Sequence, residues 1–271
     1  MKILLNNNDL NEALYGISNL GFVPTMGSLH KGHISLIKKS LKVCNKTIVS
    51  IFINPKQFNS KKDFKTYPLN LKKDLSILKK IKGVDFVYIP KFQDVYDSKK
   101  KSKIKINIKD KILCAKFRDG HFEGVLDVMD RLTNLIKPKK IFMGKKDLQQ
   151  LILVKNFIEK KHKTKVIGCK TIRDKNKLAL SSRNYLFNKD DLKIAGNISK
   201  RFFLVKKMIR NNKNISKLLL ETKKNMQKKF KIKIEYLELR NEKNLFLSKK
   251  IRGSKLFVAY YLKNIRLIDN F

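Results

Sequence analysis

Two of the chain's four histidines fall three residues apart in the string Pro24-Thr25-Met26-Gly27-Ser28-Leu29-His30-Lys31-Gly32-His33. A short apolar run at 21–25 precedes them, and a helical apolar face (Ile34, Leu36, Ile37, Leu41) follows. A loop that leaves the carboxyl end of a buried strand and opens a helix is where α/β sheets bind nucleotides. Gly27 and Gly32 permit a tight turn and close backbone approach, and the N–H groups at the helix start favour phosphate. Two imidazoles around one glycine can then donate to a phosphate as charge grows during its displacement.

Three further groups carry chemistry. Asn54 and Gln57 follow a strand end; their amides donate and accept at once, which suits a polyhydroxy acid, although a turn cap with an exposed Gln has the same pattern. In Gly144-Lys145-Lys146-Asp147-Leu148-Gln149-Gln150, Gln150 lies three residues after Asp147 and four after Lys146. On one helical face that spacing gathers an ammonium, a carboxylate and an amide. Ser181, Ser182 and Arg183 offer hydroxyls and a guanidinium suited to a triphosphate, on a loop able to close over it. A serine nucleophile is a poor alternative, with no paired base and no G-x-S-x-G. His121 reads equally as an active-site wall or a satisfied core histidine, and His162, among lysines, as a solvated residue.

Positioning these groups requires alternating elements. Apolar runs at 21–25, 47–53, 84–90, 140–144 and 165–172 read as strands. Amphipathic stretches at 33–43, 69–81, 124–136 and 147–160 read as helices. The basic segment 99–111 reads as irregular or as an edge strand. This alternation predicts a parallel, doubly wound α/β sheet. After Ser182 the order changes to helices at 189–211 and 215–230, then strands at 234–240 and 255–268, as in a small α+β domain. The expected division is 1–172 and 173–271, and no repeat appears at periods of 20–50 residues.

HxGH after a strand, within the string 22–37 (FVPTMGSLHKGHISLI), resembles the HIGH motif of the nucleotidylyltransferases and class I aminoacyl-tRNA synthetases. Within that superfamily it is most similar to the pantothenate synthetase (pantoate–β-alanine ligase) family. Residues 50–58 (SIFINPKQF), 144–150 (GKKDLQQ) and 178–184 (LALSSRN, the counterpart of the synthetases' KMSKS loop) resemble that family's strings in the family's order. Residues 118–125 (RDGHFEGV) match less fully. Another adenylyl- or cytidylyltransferase would share HxGH but would have no reason to carry NPKQF and DLQQ.

The resemblance implies a Rossmann-like catalytic domain with a smaller C-terminal lid domain. It implies ATP-dependent condensation of pantoate with β-alanine through a pantoyl adenylate, with Mg²⁺ on the ATP phosphates and no protein-held metal. By position, it makes His33, His30 and Lys146 catalytic. It assigns ATP to Met26, Gly27, Ser28, Leu29, His30, Lys31, Gly32, His33, Gly144, Lys145, Lys146, Asp147, Ile172, Leu180, Ser181, Ser182 and Arg183. Gln57 and Gln150 would hold pantoate, and Gln57 also β-alanine. A cytoplasmic homodimer is implied, with neither nucleic acid nor membrane as partner. Three residues depart from the pattern: Lys145 for Glu, Lys177 for Gly and Asp119 for Pro. Of these Lys177 bears most on loop closure, because losing a Gly can forbid φ > 0.

The composition adds limits. Among 271 residues, 64 Lys+Arg against 22 Asp+Glu give a net charge of +42. An apolar share of 42% can build a core and excludes a wholly disordered basic chain. Only nine of the positive residues are Arg, the residue that forks onto phosphate and bases. The lysines are spread evenly and accompany many Asn and Ile, a set with A/T-rich codons, which reads as drift on a solvated surface. No apolar run approaches the roughly 18–20 residues of a membrane span, and the first residues are too briefly apolar for a signal peptide. Cys44, Cys114 and Cys169 form no CxxC pair and are expected to be reduced. One role for the charge survives, because a positive field speeds capture of anionic substrates and is screened by salt. The expected outcome is a kcat/KM that falls as ionic strength rises; a flat profile would leave the charge without a role in capture.

Overall fold

Stretches such as Thr47-Ile48-Val49-Ser50-Ile51 lack polar alternation, which suits a strand covered on both faces of a parallel sheet. The computed structural model describes residues 1–96, 104–212 and 214–271. Two units are formed, Met1–Lys145 with Gln150–Lys170, and Lys146–Gln149 with Thr171–Phe271.

In the first unit the described strands are β1 (Lys2–Leu4), β2 (Leu20–Thr25), β3 (Lys46–Ile51), β4 (Phe86–Tyr88), β5 (Lys140–Gly144) and β6 (Lys165–Cys169). They form one sheet in the order β1-β4-β3-β2-β5-β6, and every pairing is parallel. The expected doubly wound sheet is present. Its centre is dry: Phe22, Val23, Ile48, Val49, Val87, Ile141 and Phe142 are fully buried. Leu36 and Ile37 of the helix Lys31–Val43 and Leu78 of the helix Leu71–Lys80 join Val23, Val49 and Phe142 in one cluster. From β2 the chain steps to β3 and β4 on one side, then returns to place β5 on the other. The carboxyl ends of β2 and β5 therefore flank a switch point, where open α/β sheets bind ligands.

The second unit packs the helices Lys189–Ile209 and Ile215–Phe230 with an antiparallel sheet of β7 (Lys233–Asn241), β8 (Ser254–Leu262) and β9 (Ile265–Asn270), in the order β7-β8-β9. Ile198, Phe202, Leu256 and Val258 are fully buried in its core.

Several expectations are corrected. The strand predicted over 255–268 is a hairpin, because Lys263 (φ 47°) and Asn264 (φ 64°) both turn left-handed. A two-residue loop of that kind matches strand twist, but Lys at its first position hides it. β1 and the helix Asn7–Leu14 were not foreseen; the helix starts on Asn6, whose side chain accepts from Asp9 N–H. The helix expected from 124 begins at His121, and the one expected from 147 begins at Leu148, after a 3₁₀ turn Lys145–Asp147. In the basic segment 99–111, residues 99–103 lie outside the described residues. The remainder holds a 3₁₀ turn, Ile108–Asp110, and no strand.

Lys177 has the conformation that its substitution for Gly put in question. Arg173 and Ala179 pair across a short antiparallel loop, and Lys177 N–H donates to Asp174 O at 3.1 Å. The Asp174 carboxylate accepts from Asn176 and Leu178 N–H at 2.8 and 2.9 Å, which pins the turn. Lys177 itself stands at φ 69°, a region that costs an L-residue with a Cβ roughly 1–2 kcal/mol. Lys177→Gly is expected to stabilise the second unit by about 1 kcal/mol once glycine's extra unfolded-state entropy is deducted. A rise in thermal midpoint would show it; an unchanged or lower midpoint would contradict it.

Candidate active site

The loop after β2 is built around a buried carboxylate. Gly27 (φ 79°) and Ser28 (φ 53°) turn left-handed in succession, directing two N–H groups to one side. Asp74, 1% exposed, meets them: Oδ2 accepts from Ser28 N–H and Oδ1 from Leu29 N–H, both at 2.7 Å. Thr25 holds the loop's start, its hydroxyl donating to Ser50 O at 2.7 Å and accepting from Gly27 N–H at 3.1 Å.

His30 is the extended residue that caps the helix Lys31–Val43. Its Nδ1 accepts from Gly32 N–H at 3.0 Å, and His33 Nδ1 accepts from His30 N–H at 3.4 Å. A Cβ on Gly32 would stand 2.6 Å from His30 Cε1, so only glycine leaves room for the ring. The ring centroids lie 4.2 Å apart. Because both Nδ1 atoms accept, the neutral rings carry their protons on Nε2. The pair therefore presents Nε2–H donors at a helix start with no acidic residue in its first turn, the electrostatics an anion needs.

Gln57 belongs to the same constellation, its Nε2 lying 2.7 Å from Met26 Sδ. Asn54 is 1% exposed. Its amide donates to Gly124 O at 3.1 Å and Gln57 Oε1 at 3.2 Å, and its oxygen accepts from Tyr96 Oη–H at 2.9 Å and Lys56 N–H at 3.2 Å. Asn54 is thus committed to the fold, and Gln57, less buried, bridges it to Met26 through Oε1 and Nε2. Burial, reinforced by the Asp127 carboxylate, pushes the Tyr96 phenol well up, so it remains a donor to Asn54. His121, 7% exposed, settles as a buried, satisfied histidine. Its Nε2 takes Arg118 Nη1–H at 2.9 Å, which leaves Nδ1–H to donate to Gln57 O at 2.7 Å. A Cβ on Gly124 would stand 2.3 Å from Lys56 O, so the helix His121–Ile136 can approach this loop only through glycine.

Gln150, half-buried, stands in the first unit on the helix Leu148–Lys161. Lys146 and Asp147 precede that helix in the 3₁₀ turn, so the three do not share one α-helical face as the spacing suggested. Lys146 Nζ donates instead to Asp147 Oδ1 at 3.0 Å. In the second unit Leu180 N–H donates to Ile172 O at 2.9 Å, placing those two predicted residues side by side. Ser181 caps the 3₁₀ turn Ser182–Leu186, its Oγ accepting from Arg183 N–H at 3.3 Å. His162 is corrected: it is paired with Asp130 (Nε2 to Oδ1, 2.8 Å) and only 16% exposed in its side chain.

The sequence analysis does not single out Asp74, which lies on the Lys-studded helix expected over 69–81. A signal was there. Leu71, Asp74, Leu75 and Leu78 follow helical spacing, so Asp74 stands on the inward apolar stripe. Asp74→Asn keeps the size but leaves a single acceptor oxygen. It is expected to cost about 2 kcal/mol, the worth of one hydrogen bond to a charged group, and to speed hydrogen exchange at the Ser28 or Leu29 amide. Wild-type protection at both amides would contradict the role given to this carboxylate.

Comparison with known proteins agrees with this geometry. The family model described as pantoate-beta-alanine ligase matches residues 3–271. A pantothenate synthetase of Clostridium botulinum (strain Langeland) is 39% identical over 259 residues, covering 93% of this chain and 91% of that protein. The crystal structure of pantothenate synthetase from Thermus thermophilus superposes with a TM-score of 0.92 at 28% identity, covering 100% and 99% of the two chains. A Francisella tularensis pantoate-beta-alanine ligase, complexed with beta-gamma ATP and beta-alanine, gives 0.83 at 34% identity, covering 100% and 97%. With the family model matched over residues 3–271 and a relative 39% identical over 93% of its length, this chain belongs to the pantoate–β-alanine ligase family.

Proposed function

We propose that this chain condenses pantoate with β-alanine at the expense of ATP, releasing pantothenate, AMP and diphosphate. The observation that carries the reading is the His30–His33 pair, both Nδ1 atoms accepting from backbone N–H groups at a helix start, inside a family match over residues 3–271. In the first step a pantoate carboxylate oxygen attacks the α-phosphorus of ATP, the bond to the bridging oxygen breaks, and diphosphate leaves. In the second the β-alanine amine attacks the acyl carbon of the adenylate, AMP departs with the bond electrons, and the nitrogen loses a proton. No covalent enzyme intermediate is needed, so positioning and charge stabilisation supply most of the catalysis.

Residues 26–33 hold ATP in this proposal, with His33 and His30 donating to phosphate oxygens as charge builds. Lys146 adds a positive charge, and Gly144, Lys145, Asp147, Ile172, Leu180, Ser181, Ser182 and Arg183 complete the nucleotide contacts. Gln57 addresses pantoate and β-alanine, and Gln150 pantoate. Among the described residues no group of three or more His, Cys, Asp or Glu is arranged to hold a metal ion. Mg²⁺ is assigned in this proposal to the substrate, as MgATP. The proposed assembly is a homodimer and the proposed location the cytoplasm. Among the described residues no helix is long and apolar enough to cross a membrane.

Coupled measurement of AMP release tests the reaction: release should require pantoate and β-alanine together, and pyrophosphate exchange should require pantoate alone. AMP formed at an undiminished rate without pantoate would overturn the reading. His33→Ala is expected to lower pantoyl-adenylate formation by at least about 10²-fold, the scale of losing one preorganised donor, while the far-ultraviolet circular dichroism stays unchanged. A folded variant with full turnover would remove His33 from the mechanism.

A further inference from the structure

The second unit contains a polar assembly at its last strand that the reaction scheme does not use. Asp269 and Asn270 are buried, at 6% and 4% exposure. Arg173 grips the Asp269 carboxylate with two N–H groups at 2.6 and 2.8 Å, and Nη2 also donates to Asn270 O at 3.1 Å. The Arg173 guanidinium lies 4.9 Å from the ring centres of both Phe203 and Phe271. Asn270 N–H donates back to Asp269 Oδ1 at 2.7 Å. Both backbone polar groups of Asn270 are thus tied down. Its side-chain Nδ2 donates at 2.8 Å to the carbonyl of Lys146, 124 positions earlier in the chain.

That carbonyl belongs to the 3₁₀ turn Lys145–Asp147, a single turn with little hydrogen-bond ladder of its own. A lysine side chain has four rotatable bonds, so the ammonium is placed no better than the backbone beneath it. We infer that Asn270 is a positioning residue for Lys146, braced by the Arg173–Asp269 pair, an inference that rests on the role proposed above for Lys146. A neutral amide is well suited to the task. It holds the Lys146 backbone without adding a charge that would compete for the ammonium, which already has Asp147 beside it. The pair behind it is packed against two aromatic rings that also touch each other edge to face, which restrains Asn270 in turn.

The test compares single-turnover pantoyl-adenylate formation in Asn270→Ala, Lys146→Ala and the double variant. Asn270→Ala is expected to slow this step about tenfold or more, since small misplacements of a reacting group cost up to about 10²-fold. The KM for β-alanine should stay within twofold. Asn270→Gln, which keeps an amide, should recover most of the rate, and Asn270→Met, close to that glutamine in length and volume but without an amide, should not. If Asn270→Ala does not fold, the Gln–Met pair carries the same comparison. The double variant should be no slower than Lys146→Ala, a coupling that general destabilisation would not produce. A wild-type rate in Asn270→Ala alongside an inactive Lys146→Ala would overturn this inference alone. Equal rates for the Gln and Met variants, or a further tenfold loss in the double variant, would do the same. Full activity in Lys146→Ala would overturn both this inference and the role given to that lysine.

Discussion

The nucleotide loop depends on one buried anion. Gly27 and Ser28 are both left-handed, and for Ser28 that conformation costs roughly 1–2 kcal/mol. The Asp74 carboxylate offsets this by accepting from two successive amides, each such bond contributing about 1.5–3 kcal/mol. The balance favours the strained turn, and everything downstream follows from it. With Leu29 held, His30 sits at the cap position, His33 falls one turn later, and the amides of Gly32 and His30 select the ring tautomers. Asp74 comes from a different helix, so the loop is shaped by tertiary contact and not by its own sequence.

The two units use buried carboxylates differently. In the first, Asp74 is satisfied by backbone amides, which locks a loop without any cation. In the second, Asp269 is satisfied mainly by Arg173, and burial still pushes its carboxyl up against the pull of that guanidinium. A buried ion pair is weak evidence for stability, because desolvation consumes much of the attraction. Its position here is informative: beside the pair, the Asn270 side chain donates to the backbone carbonyl of Lys146.

Much of this was legible in the chain. The β-branched runs announced the parallel sheet, since strands buried on both faces need no polar alternation. The HxGH string announced the anion site, because strand, glycine and helix start coincide there. What escaped notice was decided by partners distant in sequence. Asp74 was not singled out, standing next to Lys72 and Lys73; only its helical spacing with Leu75 and Leu78 distinguishes it. Asn54 read as a ligand-facing amide or a cap, and burial made it structural. His121 stayed ambiguous until Arg118 and the Gln57 carbonyl were seen to use both its ring nitrogens. The 263–264 turn was hidden by a lysine in a place where glycine or asparagine would have signalled it.

At position 177 a lysine occupies a left-handed conformation that ordinarily favours glycine. Glycine codons begin with two guanines, whereas lysine codons begin with two adenines, so pressure toward A/T replaces the first with the second wherever sterics permit. At 177 the added Cβ meets only a backbone penalty of about 1 kcal/mol, within the range a folded protein absorbs. At Gly124 the same exchange would drive an atom to 2.3 Å from the Lys56 carbonyl, and at Gly32 to 2.6 Å from the His30 ring. Gly124 and Gly32 therefore mark two places where a backbone carbonyl and a ring exclude the side chain that position 177 accommodates.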